Sequence, residues 1–144
     1  LLANPDVTGK QLWLMKSEPD AYSFDDLIAE REGTWDGVRN HLAARNLRTM
    51  REGDLAFFYH SNIGKEIVGI VKVIKTYYPD PSDESGKFGM CDFAAVKPLK
   101  RPVTLEEIKA DKRLKAMMLV NNSRLSVQPV TDEEWKLLCE LGGL

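Results

Sequence analysis

The stretch WDGVRN, residues 35–40, sets a large aromatic, a carboxylate, a glycine, a branched apolar residue, a guanidinium and an amide in consecutive positions. Together these groups can hold a flat polar ring, with an aromatic face to stack on and hydrogen-bonding groups to meet its edge. Trp35 offers the platform; stacking a nucleobase on an aromatic is worth roughly 1–3 kcal/mol. Asp36 can accept from an exocyclic amine, Asn40 can both donate and accept, and Gly37 lets the backbone approach closely. Arg39 could meet a phosphate. Each residue also has an ordinary role in a turn: a packed indole, an Asp-Gly bend, a helix cap, a solvated arginine.

Three further groups of polar residues stand at strand ends. Lys16 and Ser17 follow the apolar run QLWLM, a usual place for a pocket rim. In FFYHS, residues 57–61, alternation sets Phe57, Tyr59 and Ser61 on one side and Phe58 and His60 on the other. One of those faces is expected in the core and the other in a pocket. In RLSVQPV, Arg124, Ser126 and Gln128 share a polar face opposite Leu125 and Val127.

Catalytic patterns are scarce. His41 and His60 are the only histidines, there is no G-x-S-x-G, and no phosphate- or dinucleotide-binding glycine pattern occurs. Glu18, Asp20, Asp25 and Asp26 crowd together, but a proline and a helix start account for them. Cys91 and Cys139 are far apart and lack the spacing of zinc ligands, so they read as reduced thiols of a cytoplasmic protein. No metal and no cofactor is expected. A net charge of -2 argues against coating nucleic acid by bulk charge, yet 20 Lys and Arg remain to form a local basic groove.

The elements that must position these residues are short. A strand is expected at 11–16, then a helix capped by Ser23 and Asp26 and ended by Gly33. Asn40 is placed to cap a second helix, with Leu42, Leu47 and Met50 on its apolar face. Residues 55–60 and 66–76 form the clearest hairpin. YYPDPSDESGKFG reads as a polar loop and CDFAAVKPL as another strand. Thr104 with Glu107, and Thr131 with Glu134, begin two capped helices. The length of 144 residues and 43% apolar content suit a single domain over 11–144, preceded by an arm at 1–10. Strands and helices do not alternate regularly, so a bent sheet or open barrel with helices packed on it is expected rather than a doubly wound parallel sheet. No apolar run is long enough to span a membrane, and no signal-peptide pattern is present.

The ordered series WLMKSEP, WDGVRN, ARNLR, GDLAFFYHS, IVGIVKV, RPVTLEEIKAD and RLSVQPVTDEEW resembles the EVE domain family over about residues 11–142. The resemblance implies an α+β, PUA-like fold: a bent, mostly antiparallel β pseudo-barrel with peripheral short helices. It also implies kinship with YTH domains and recognition, without catalysis, of a modified base in DNA or RNA. The base would be a methylated or hydroxymethylated cytosine or a methylated adenine. On that resemblance Trp35 is the stacking wall and Asp36 a base-edge contact, with Lys16 and Ser17 beside them. Asn40, Tyr59, His60 and Ser61 complete the pocket or its rim, and Arg39, Arg45 and Arg124 are the candidates for phosphates. The longer segment that often follows YPDP in the family is here SDESGKFGMCDF, which leaves Phe88 as the aromatic for a second wall. Two other readings of the same residues are an adaptor docking a protein through WDGVRN, and an enzyme acting on a nucleobase or nucleotide through His60 or Glu18.

Overall fold

The computed structural model describes residues 5–144. Its strands are β1 (Leu12–Ser17), β2 (Glu32–Thr34), β3 (Leu55–His60), β4 (Glu66–Pro79), β5 (Gly89–Thr104) and β6 (Val127–Pro129). Its α-helices are α1 (Phe24–Glu30), α2 (His41–Thr49), α3 (Leu105–Ala110), α4 (Met118–Asn121) and α5 (Asp132–Leu141). The strands form one sheet in the order β2-β5-β4-β3-β1-β6. Every pairing is antiparallel except β1 with β3, where Leu12 stands opposite Leu55 and Lys16 opposite Tyr59. Repeated register shifts between β4 and β5 let these long strands bend and twist. The result is the bent, mostly antiparallel α+β architecture with peripheral helices that the sequence implies.

The runs LWLM and LAFFY lack polar alternation because both faces of the central strands are covered. Trp13, Met15, Ala56 and Phe58 point into one core with α1 and α2. Leu12, Leu14, Leu55, Phe57 and Tyr59 point into another with Ile108 of α3 and Trp135 and Leu138 of α5. At 57–58 both sides are core: Phe57 and Phe58 are fully buried, on opposite sides of the sheet. Trp135 stacks on Phe57 with ring centroids 3.9 Å apart.

Helix starts follow their local chemistry. Ser23 with Asp26, Thr104 with Glu107 and Thr131 with Glu134 form reciprocal capping boxes, and Asn40 Oδ1 accepts the Ala43 N–H at 2.9 Å. Four details differ from expectation. Helix α1 ends at Arg31, at φ 70°, and Gly33 lies inside β2 opposite Phe93. A Cβ at Gly33 would meet the Tyr22 hydroxyl, so close packing explains that glycine. Leu42 is exposed, and α2 buries Ala43, Ala44 and Leu47 instead. Gln128 is fully buried, with Nε2 donating to the carbonyls of Asn122 and Leu125, so the 124–128 segment has no continuous polar face. Tyr77, Tyr78 and Pro79 belong to β4, leaving a shorter loop than the polar composition suggests.

Residues 1–4 of the expected N-terminal arm lie outside the described residues. Val7 packs against the second core, and the Gly9 carbonyl accepts from Arg51.

Candidate nucleic-acid interface

The end of β1 is fixed to three other segments. The Lys16 N–H donates to the Ser126 carbonyl at 2.9 Å, and the Ser17 carbonyl accepts the Ser61 N–H at 2.9 Å. Ser17 Oγ donates to the Tyr22 carbonyl at 2.6 Å, which holds the turn into α1. This junction opens into a cleft of about 450 Å³ whose walls include Lys16, Ser17, Tyr22, Thr34, Trp35 and Asp36. The size lies within the usual range for small-ligand sites. Glu18 and Glu30 also line it, so with Asp36 the cleft carries three carboxylates beside a single lysine. Carboxylates at a rim suit a base that presents an exocyclic amine, as cytosine does through N4.

Trp35 is both a core residue and a wall of the cleft. Its backbone N–H donates to the Cys91 carbonyl, and its ring packs edge-on against Phe58 and Phe93 at 5.4 and 5.8 Å. Only 8% of the residue is exposed. The second aromatic at the cleft is Tyr22, whose hydroxyl donates to Glu30 Oε2 at 3.2 Å. Burial, then the bond and charge of Glu30, push the Tyr22 phenol up to about 12, so it stays a neutral donor. Phe88 does not line this cleft; it packs against His41 and beneath the Arg39 guanidinium.

The turn that presents Trp35 and Asp36 is anchored by Asp80, a buried carboxylate. Asp80 Oδ2 accepts from the Gly37 N–H at 2.8 Å and from Arg39 Nη1 at 3.2 Å. Its Oδ1 accepts from the Ser82 N–H and hydroxyl at 2.8 and 2.6 Å. Burial raises the Asp80 carboxyl, but the donors from Ser82, Gly37 and Arg39 outweigh it and hold it at about 2. Gly37 needs its φ of 77°, a conformation that side chains disfavour, to deliver that N–H. Arg39 also donates to the Val38 carbonyl and Ser82 Oγ, so its guanidinium is engaged within the protein.

A second hollow of about 320 Å³ lies across Lys16 from the cleft. Tyr59 and Ser61 line it with Lys16, so the structure divides the expected pocket residues between two sites. Lys16 Nζ donates to the Ser123 carbonyl at 2.6 Å, and burial pushes the ammonium below its usual value. His60 lines neither space; its Nε2 accepts the Phe24 N–H at 3.1 Å at the start of α1. Burial pushes its imidazole below the usual value, against the opposing charges of Glu66 and Asp25. Gly37, Arg39 and Asn40 support the turn from outside the cleft, while Arg45 and Arg124 are exposed and line neither space. Ser126 contributes its backbone carbonyl to β1.

Both cysteines are free thiols, raised by burial to about 12 for Cys91 and about 11 for Cys139. Among the described residues no group of three or more His, Cys, Asp or Glu could hold a metal ion, and no helix is long and apolar enough to cross a membrane.

Comparison with known proteins places this geometry in a family. The EVE domain profile matches residues 11–141. Mouse thymocyte nuclear protein 1 is 39% identical over 170 residues, which span 92% of this chain and 75% of that protein. A protein of Rhodopseudomonas palustris solved by NMR is 56% identical, with a TM-score of 0.88 and coverage of 92% of this chain and 93% of its own. The crystal structure of the human THYN1 protein in complex with 5-methylcytosine-containing DNA superposes with a TM-score of 0.87 at 36% identity, covering 94% of this chain and 99% of that one. The fold is thus the PUA-like one of these relatives, and the chain belongs to the EVE domain family.

Proposed function

We propose that this protein is a non-catalytic module that binds DNA carrying a modified base, with 5-methylcytosine as the first candidate, and that the base enters the cleft at the end of β1. The carrying observation is the cleft itself: an open space of about 450 Å³ where Lys16, Ser17, Tyr22, Trp35 and Asp36 converge. That the similar human protein was crystallised with 5-methylcytosine-containing DNA supports the same ligand class here. Tyr22 and the exposed part of Trp35 supply aromatic contact, and Asp36 accepts from the exocyclic amine of the base. The binding reading is favoured over catalysis by the state of the reactive groups. The thiols are held protonated by burial, and His60 Nε2 already accepts a backbone N–H. A nucleophile needs a base within reach to activate it.

The test is a fluorescence titration with matched oligonucleotides with and without 5-methylcytosine, repeated on Asp36→Ala. Asp36 is exposed, so its removal leaves packing intact. Preferential binding of the modified oligonucleotide, reduced in Asp36→Ala, is the expected result. Equal binding of both oligonucleotides by the wild-type protein overturns the reading.

A further inference from the structure

The carboxylates of the cleft raise a question about the rest of the ligand. A base in a nucleic-acid strand brings phosphates on both sides, and Glu18, Glu30 and Asp36 repel them. The charge of the neighbouring hollow is the reverse. Lys16, Lys65 and Lys109 line it, together with the polar side chains of Ser61, Asn62 and Ser123, and no carboxylate does. Leu105 and Leu119 supply an apolar floor. Neither the Lys65 nor the Lys109 ammonium is ion-paired among the described residues. A further hollow of about 420 Å³ shares Lys65, Leu105 and Lys109 and is also lined by Glu106.

The backbone holds this arrangement under constraint. The turn between β3 and β4 puts two residues other than glycine in the left-handed region, Asn62 at φ 69° and Lys65 at φ 49°. Such conformations are disfavoured for side-chain-bearing residues and persist where surrounding bonds enforce them. Here the Ser61 N–H donates to Ser17, and the Lys65 carbonyl accepts the Leu105 N–H at 2.8 Å. The same residues that carry the strain line the hollow.

We propose that the hollow between Lys16, Lys65 and Lys109 is a phosphate subsite, which takes the phosphodiester of the strand next to the base held in the cleft. The proposal rests on the reading of the cleft as a base site. Lys16 lines both spaces and is the hinge between them: its stem borders the base and its ammonium faces the anion. Lys65 and Lys109 act as point charges on the backbone and read no sequence.

The experiment compares wild type with Lys65→Gln/Lys109→Gln by anisotropy of a labelled single-stranded oligonucleotide with one 5-methylcytosine and of its unmodified twin, across a salt series. Free 5-methyl-2′-deoxycytidine, which has no phosphate, is titrated separately. Lys87→Gln/Lys136→Gln makes the same change of charge at exposed positions elsewhere. The subsite predicts a loss of about tenfold in oligonucleotide affinity, and a slope of log affinity on log salt shallower by about 1.4, near 0.7 for each contact. Nucleoside binding and the preference for the modified twin stay at wild-type values, and the control pair changes little. An unchanged slope in the double variant overturns the subsite, as does a loss shared by the nucleoside or matched by the control pair. If wild type shows no preference for the modified twin yet the double variant flattens the slope, the base reading falls and the phosphate subsite stands.

Discussion

The cleft and the hollow meet at Lys16 but are built by opposite means. The cleft is walled by a turn held to a distant buried carboxylate: Gly37 and Arg39 both donate to Asp80 across more than forty residues. The hollow is walled by a short turn held by backbone bonds and by left-handed residues. One carries carboxylates suited to a base edge, and the other carries lysines suited to a backbone. On the proposed reading, specific contact and charge contact are separated in space, and a chain of net charge -2 would need no basic surplus to bind a polyanion.

The comparison can be broken most forcefully at Trp35. Its ring is packed between Phe58 and Phe93, so Trp35→Ala is expected to destabilise the fold by about 3–5 kcal/mol and to damage both sites together. Chemical denaturation measures it, and a change under 1 kcal/mol would show that the ring serves the cleft alone. Asp80→Ala sharpens the contrast. It leaves the Gly37 N–H without its partner, at about 1–3 kcal/mol, and should erase base preference while leaving the salt slope intact. Loss of the slope as well would mean that the two sites are coupled through the turn.

Acid supplies a third probe, because His60 and Asp80 titrate in different windows. The His60 imidazole is held below its unfolded value near 6.5, so the stability it lends is complete above that pH and declines as the pH falls through the folded value. Asp80 is held at about 2, so its contribution is present above about pH 4 and is lost only as the pH falls towards 2. His60→Gln, whose amide oxygen can still accept the Phe24 N–H, should abolish the first decline and leave the second. Stability followed by denaturation from pH 7 to 2 decides this; a first decline that persists in the variant assigns it to another group. The smallest expected stability effect is that of Asp36→Ala, within about 0.5 kcal/mol, because Asp36 is exposed.

Local chemistry made much of this fold legible. The capping boxes at Ser23, Thr104 and Thr131, the Asn40 cap and the β3–β4 hairpin are each encoded within a few residues, and each stands as read. What depends on distant contact was hidden. Asp80 sits in a segment whose composition says only polar loop, yet its carboxylate is the anchor of WDGVRN. Tyr22 reaches the cleft because Ser17 bends the chain after β1, and no pattern in sequence announces that. Lys65 and Lys109 look like ordinary surface lysines until the bond from Leu105 to Lys65 brings α3 against the turn. Leu42 and Gln128 misled for a related reason: which face a residue presents depends on the neighbours it meets, and small alanines, or an amide whose nitrogen finds carbonyl partners, can be buried as readily as leucine.

The place of β1 in the sheet carries a consequence for biogenesis. This strand, whose last residues floor the cleft, pairs on one side with β3 and on the other with β6, near the far end of the chain. While a ribosome is still making the segment around Val127, β1 has an unsatisfied edge and Lys16 lacks its carbonyl partner at Ser126. The nascent protein can therefore build most of its sheet and still lack the β1–β6 contact beside the cleft. The β1 end of the cleft is completed only when β6 docks, so a chain terminated before Val127 would leave that edge of β1 open to pairing with a neighbouring chain.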